Sequence, residues 1–309
     1  MEKKKNFEKI PKNLYDKIFE FIDYEINLYI SFYSKAMQKK LGLIIDDFQS
    51  NINGIYEIKK YNQEIQVLNY SNENENAIKQ NVIFFLDNNK INFSFKKIFQ
   101  NIGLYNLKIK FKKNIIMKNI FKICKNLISI DFSHFKLKIK NISFLLCGCA
   151  SLKNINFNNI HTEKVEYMNN MFQGCSSLKE INLSTFCTEN VKNMKKMFSG
   201  CCNLEKIDLS NFNTSNVINM SCMFEDCHKL ETINLESFNT SKVKNMSRMF
   251  RYCLKLISLN LKNFNTENVL YMTCMFGYCT SLASVDISNF KYNNIISNDY
   301  MWEGTKFIH

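Results

Sequence analysis

The sequence predicts an α/β repeat solenoid: right-handed coils, each a short strand plus a short helix, behind a helical N-terminal module. Three observations carry that expectation. Phe172, Phe198, Phe224, Phe250 and Phe276 are each 26 residues apart, and Cys175, Cys201, Cys227, Cys253 and Cys279 keep the same interval. A fixed period of this size signals stacked repeat units rather than a single-core globule. Within a unit, Leu178-x2-Ile181-x-Leu183 ends in the period-2 pair of a short strand. Thr188 then precedes Val191, Met194 and Met197 at steps of three, which suits a short helix or 3₁₀ turn. Threonine is a favourable N-cap, and Thr162, Thr214, Thr240 and Thr266 hold the same place.

Taken in order, residues 1–45 read as helical, with apolar positions at Ile10, Leu14, Ile18, Phe19 and Ile22 and again from Leu28 to Leu41. Residues 46–115 read as a β-rich connector. Ile91-x-Phe93-x-Phe95 alternates after the turn signal Asp87-Asn88-Asn89-Lys90, and Tyr105-x-Leu107-x-Ile109-x-Phe111 alternates against Lys108 and Lys110. Ser71 to Asn76 reads as a loop. Residues 116–302 hold about seven 26-residue units, the first one residue shorter and the last decaying after Phe290 towards Met301-Trp302. Residues 303–309 are a tail. A lone unit buries too little apolar surface to offset the cost of ordering it, so units must share their faces.

From Met197 to Met220 the order Met-Phe-x2-Cys-x2-Leu-x2-Ile-Asp-Leu-Ser-x-Phe-x-Thr-x2-Val-x2-Met resembles the BspA-like leucine-rich repeat family in its 26-residue surface-protein version. The resemblance covers about 120–302. It implies a leucine-rich-repeat solenoid that binds proteins or surfaces. Residues 10–41, with Ile10-Pro11-x2-Leu14-x3-Ile18-Phe19-x2-Ile22 and then Leu28-x-Ile30-Ser31, resemble an F-box. That resemblance implies docking of Pro11, Leu14, Ile18, Phe19 and Ile22 to the small adaptor of a cullin–RING ubiquitin ligase. The two together imply a substrate receptor. The alternative is a surface or adhesion-type BspA-like protein.

Composition narrows the partners. The net charge is +13, and ten lysines between Lys108 and Lys140 face one acid, Asp131. Such a run suits an anionic partner or a solvated cap. No aromatic-interleaved RNA motif accompanies it, so nucleic acid is not the expected partner. The N-terminus lacks the apolar core of a signal peptide, and no run of 18 apolar residues occurs. A cytoplasmic location follows as the expectation, with the twelve cysteines as reduced, buried thiols. Lysine and asparagine richness is put down to an AT-rich coding sequence.

No phosphate-binding, dinucleotide or hydrolase motif is present, and Cys147-x-Cys149 and Cys201-Cys202 lack the spacing of zinc ligands. Cys227-His228 could form a nucleophile pair, but Cys227 sits in the repeating register of the other cysteines. Catalytic residues, metal and cofactor are therefore not expected. Function is expected on polar side chains beside each strand core, where alternation points them outward. These are Asn156, Asn182, Asp208, Asn234, Asn260 and Asp286, with Ser184, Ser210, Glu236 and Lys262 next to them. The expected function is non-enzymatic protein binding.

Overall fold

The protein is described by a computed structural model over residues 50–70, 75–111, 116–136 and 138–306. The helical segment expected over 1–45, and with it Pro11, Leu14, Ile18, Phe19 and Ile22, lies outside these residues.

The connector supplies an antiparallel cap. Its elements are β1 (Asn51–Ile58), β2 (Gln63–Gln66), α1 (Glu75–Asn81), β3 (Val82–Leu86), β4 (Asn89–Ile91), β5 (Lys96–Phe99) and β6 (Gly103–Phe111). Strict alternation in β1 buries Ile52, Tyr56 and Ile58 while the residues between stay half-exposed. Asp87 and Asn88, both at positive φ, form the two-residue turn joining β3 to β4. The Ile91–Phe95 alternation enters a strand only at Ile91, and α1 begins at Glu75, inside the stretch read as loop. The main sheet runs β4-β3-β6-β1-β7-β8, with β7 (Leu127–Asp131) and β8 (Asn154–Asn156) belonging to the first two repeat units. β7 pairs antiparallel with β1 and parallel with β8, so the cap continues directly into the repeat.

The 26-residue units stack through parallel single-residue bridges running Asn141, Tyr167, Asn193, Asn219, Asn245, Tyr271, Ser297. Their interior is a set of ladders. The rings of Phe172, Phe198, Phe224, Phe250 and Phe276 stack in turn with centroids 5.5–5.9 Å apart, and Trp302 closes the column at 4.4 Å. Val, Met, Leu and Cys columns fill the rest, nearly all without exposed surface.

The expected fold class needs correction. The described residues are mostly β in mixed sheets, with α1 as their one short helix, and do not form an α/β leucine-rich solenoid of strand-plus-helix coils. The steps of three are successive tight turns. Met197, Ser199 and Cys201 donate their N–H groups back to Met194, Lys196 and Phe198, whereas Met194, Lys196, Phe198 and Gly200 donate to Asn219, Ser221, Met223 and Glu225 of the next unit. Lys196 (φ 55°) and Gly200 (φ 73°) are left-handed, which ends any α-helical run. A helix would keep these bonds inside the unit and leave nothing to bind its neighbour.

Threonine is likewise not a helix cap. Thr188 Oγ1 accepts the Asn213 N–H at 2.8 Å and donates to the Asn213 carbonyl at 3.0 Å, and Thr214 treats Asn239 the same way. Each buried hydroxyl thus pairs with a backbone group 25 residues on. Strands expected in every unit form at β7, β8, β9 (Ser258–Asn260) and β10 (Ser284–Asp286), whereas 180–183, 206–209 and 232–235 run without strand pairing. Phe224→Ala should cost about 3–5 kcal/mol in denaturant unfolding, since a buried ring leaves a cavity between two others. Thr214→Val, equal in volume, should cost about 1–3 kcal/mol by leaving the Asn239 backbone groups unpaired; parental stability in that variant would refute the bridging role.

Candidate functional site

The positions singled out beside the strand core do lie at the surface. Asn182, Asp208, Asn234, Asn260, Asp286, Ser184, Ser210, Glu236 and Lys262 are exposed, and Asn156 is half-buried. They form one strip along the units because each recurs at 26 residues. Two open grooves lie on it. One is lined by Asp131, Lys153, Asn156, Glu180 and Asn182, the other by Ser258, Asn260, Ser284, Asp286 and Ser288.

Within the strip the Asn and Asp side chains have structural work as well. Oδ1 of Asn156, Asn182, Asp208, Asn234, Asn260 and Asp286 accepts the N–H two residues on, at 3.0, 3.0, 2.9, 2.9, 3.3 and 3.1 Å. Each closes a local turn at the end of its strand segment. Alternation alone missed this. The detectable signal was chemical restriction: the position admits only Asn or Asp across six units, while its neighbour two residues on is Asn, Ser, Glu or Lys.

The same logic accounts for other asparagines. Asn190, Asn216, Asn268 and Asn294 donate their side-chain amides to carbonyls 27 residues back. Asn211 and Asn263 each reach three carbonyls of the preceding unit. Asparagine therefore serves the stack, and codon bias is not needed to explain it at these positions.

The charged members respond accordingly. The Ser210 backbone N–H, with its hydroxyl, holds Asp208 below the ordinary carboxylate value, and the Ser288 hydroxyl and N–H do the same for Asp286. A depressed folded-state pKa stabilises the fold above the unfolded value of about 3.9 and loses that contribution as pH falls through the folded value.

Cysteine chemistry is arranged for packing. All twelve are free. Cys149, Cys175, Cys201, Cys227, Cys253 and Cys279 each donate Sγ–H to a backbone carbonyl of the preceding unit. Burial pushes their thiols up, Cys279 to about 12, so the thiolate nucleophile is suppressed. Cys227 points inward, whereas His228 lies 3.7 Å from Asp226 at the half-exposed surface, so the two form no dyad. No group of three or more His, Cys, Asp or Glu suited to a metal occurs among the described residues.

One cluster had no sequence signal. Glu225, 7% exposed, lies 3.6 Å from Arg251 and 4.0 Å from Arg248. The Arg251 guanidinium sits over Tyr252 at 4.5 Å, and the Tyr252 and Tyr278 rings stack at 4.8 Å. Burial, followed by the Glu225 carboxylate, pushes the Cys222 thiol up to about 12. The lysine-rich stretch is partly absorbed by packing, with Lys110 over the Phe85 ring and Lys122 over Phe144.

The family described as "Mycoplasma protein of unknown function, DUF285" matches residues 115–232 and again 219–309. The chain belongs to DUF285. That match overturns both resemblances drawn from sequence: the family is neither the BspA-like leucine-rich repeat family nor an F-box family. No curated protein and no solved structure matches the chain.

Two outcomes check the site's physical account. Asp208→Asn keeps the turn-closing oxygen and should flatten the acid limb of stability against pH, whereas Asp208→Ala should lower stability at neutral pH as well. Iodoacetamide on the native protein should label Cys187 and Cys202, which are half-buried, and reach the ten buried thiols only after unfolding; rapid labelling of Cys227 in the folded chain would contradict its packing role.

Proposed function

We propose that the chain is a non-enzymatic protein-binding protein that uses the exposed strip beside its strand segments. One observation carries this reading: chemically varied side chains stand at fixed intervals on a frame whose interior is uniform. Glu180, Lys206, Ser210, Glu236 and Lys262 are all exposed on the strip, while the columns beneath them repeat almost unchanged. A frame that fixes spacing and leaves side chains free suits recognition of an extended protein surface. Because the Asn and Asp oxygens are engaged in turns, specificity falls to their neighbours rather than to those residues. The partner is a protein contacted over several units. The thiols that bond to backbone carbonyls throughout the core favour a reducing compartment, and a cytoplasmic location is part of the proposal. None of the described helices is long and apolar enough to cross a membrane.

The test uses a partner identified by crosslinking and mass spectrometry, with affinity then measured directly. The combined variant Glu180→Ala, Lys206→Ala, Glu236→Ala and Lys262→Ala keeps every turn-closing Asn and Asp. It should unfold at the same temperature as the parent and bind at least about tenfold more weakly. Unchanged affinity would remove the strip as the contact surface.

A further inference from the structure

Large apolar side chains are exposed singly over much of the surface, but four gather at one tip of the cap. Tyr61 is 70% exposed, Ile98 60%, Ile102 51% and Leu104 64%. They come from the β1–β2 turn (Tyr61), β5 (Ile98), the β5–β6 turn (Ile102) and the start of β6 (Leu104), and register brings these segments together. Ile58 pairs with Gly103, Glu57 with Leu104 and Glu64 with Ile98, and the Asn62 N–H donates to the Gln100 carbonyl at 3.3 Å. The tip is held in shape, because Gln63 Oε1 accepts the N–H groups of both Lys59 and Lys60.

The charges around the tip are mostly cationic. Lys59, Lys60, Lys96 and Lys97 face two acids, Glu57 and Glu64. Those acids pair with Lys59 at 3.2 Å and Lys96 at 3.3 Å, leaving Lys60 and Lys97 without an acidic partner among the described residues. Apolar tips ringed by lysine combine the two signals that hold a protein at an anionic bilayer: side chains that enter the acyl boundary and cations that meet the headgroups. Tyrosine suits the interface between them, with an apolar ring and a polar end.

We propose that this tip docks the chain onto an anionic lipid surface, with Tyr61, Ile98, Ile102 and Leu104 inserted and Lys60, next to Tyr61, on the headgroups. An acidic protein could meet the same lysines. However, the apolar side chains project from two turns and two neighbouring strand ends, an uneven shape that a fluid bilayer accepts without complementary contours. The strip proposed for protein binding lies on the repeat units and is a different surface.

Sedimentation of the whole chain with vesicles tests this. The parent should pellet with phosphatidylserine–phosphatidylcholine vesicles at low salt and stay in solution with phosphatidylcholine alone. The variant Tyr61→Thr, Ile98→Thr, Ile102→Thr and Leu104→Thr should keep the parental melting temperature and lose roughly tenfold in vesicle binding. A control variant, Ile218→Thr with Ile257→Thr and Ile296→Thr, removes exposed apolar residues elsewhere and should bind as the parent does. Failure of the parent to bind anionic vesicles would overturn the proposal. So would equal binding by the tip variant, because the net charge of +13 alone would then be responsible.

Discussion

The stacked units depend on one exchange of hydrogen bonds. From Met194 to Gly200, every second N–H is given to the next unit; of those between, Met197 and Ser199 fold back three residues and Lys195 donates to Asn193 Oδ1. No unit can satisfy its own backbone, and the buried amides left by removing a neighbour would each carry a desolvation cost. The exchange also sets the left-handed positions. Phe144, Asn170, Lys196, Cys222, Arg248, Cys274 and Tyr300 all have positive φ, and so do Gly148, Gly174, Gly200, Asp226, Tyr252, Tyr278 and Gly304. In the second column crowding demands glycine only at the end, where a Cβ on Gly304 would sit 2.6 Å from Tyr278 Cδ1; a Cβ on Gly200 would meet the Gly174 Cα at an ordinary 3.4 Å. Further along, Tyr252 and Tyr278 accept the strained backbone, and their stacked rings contribute packing that glycine cannot.

Much of this was legible in the sequence and part was systematically misread. The 26-residue period gave the unit boundaries, and the Phe, Cys, Leu, Val and Met columns found there are the buried ones. Tyr105 to Phe111 lies in β6, and Asp87-Asn88 is a hairpin turn. The helix per unit was the error. Steps of three describe a helical face, but they equally describe consecutive turns whose central residues alternate in handedness, and apolar spacing alone cannot separate the two. Lys196, Cys222 and Arg248 gave no warning, because none is a residue type that favours left-handed backbone. Thr188 was ambiguous for a similar reason: one buried hydroxyl serves a helix start or a neighbouring chain segment equally well.

The candidate surface shows the same ambiguity in another form. Period-2 reasoning put Asn182, Asp208 and Asn234 outside, where they are, but exposure did not make them free. A side chain can face water and still hold its own backbone, and Asn and Asp do so because their oxygen reaches the N–H two residues ahead. This divides labour along the strip. One position per unit maintains the turn, and the positions on either side are left to vary in charge, as Glu180, Lys206, Glu236 and Lys262 do. The family match covers the repeat units from residue 115 to 309.

Repetition carries a hazard that one nearly buried charge, Glu225, counters. If all units were alike, one could loop out and its neighbours close the gap with every column still matched, at a cost set only by slow-growing loop entropy. Glu225 makes the middle of the array unlike the rest. Its column reads Cys147, Gln173, Ser199, Glu225, Arg251, Gly277 and Glu303. In the observed register the nearly buried Glu225 carboxylate lies 3.6 Å from Arg251, whose side chain passes beside Gly277. Looping out the following unit would set Glu225 against Gly277 and strip its carboxylate of Arg248 and Arg251. An uncompensated buried charge costs far more than a mismatched apolar contact. The ion cluster thus need add little net stability to be useful, because its energy lies in the difference between the correct stack and the shifted one.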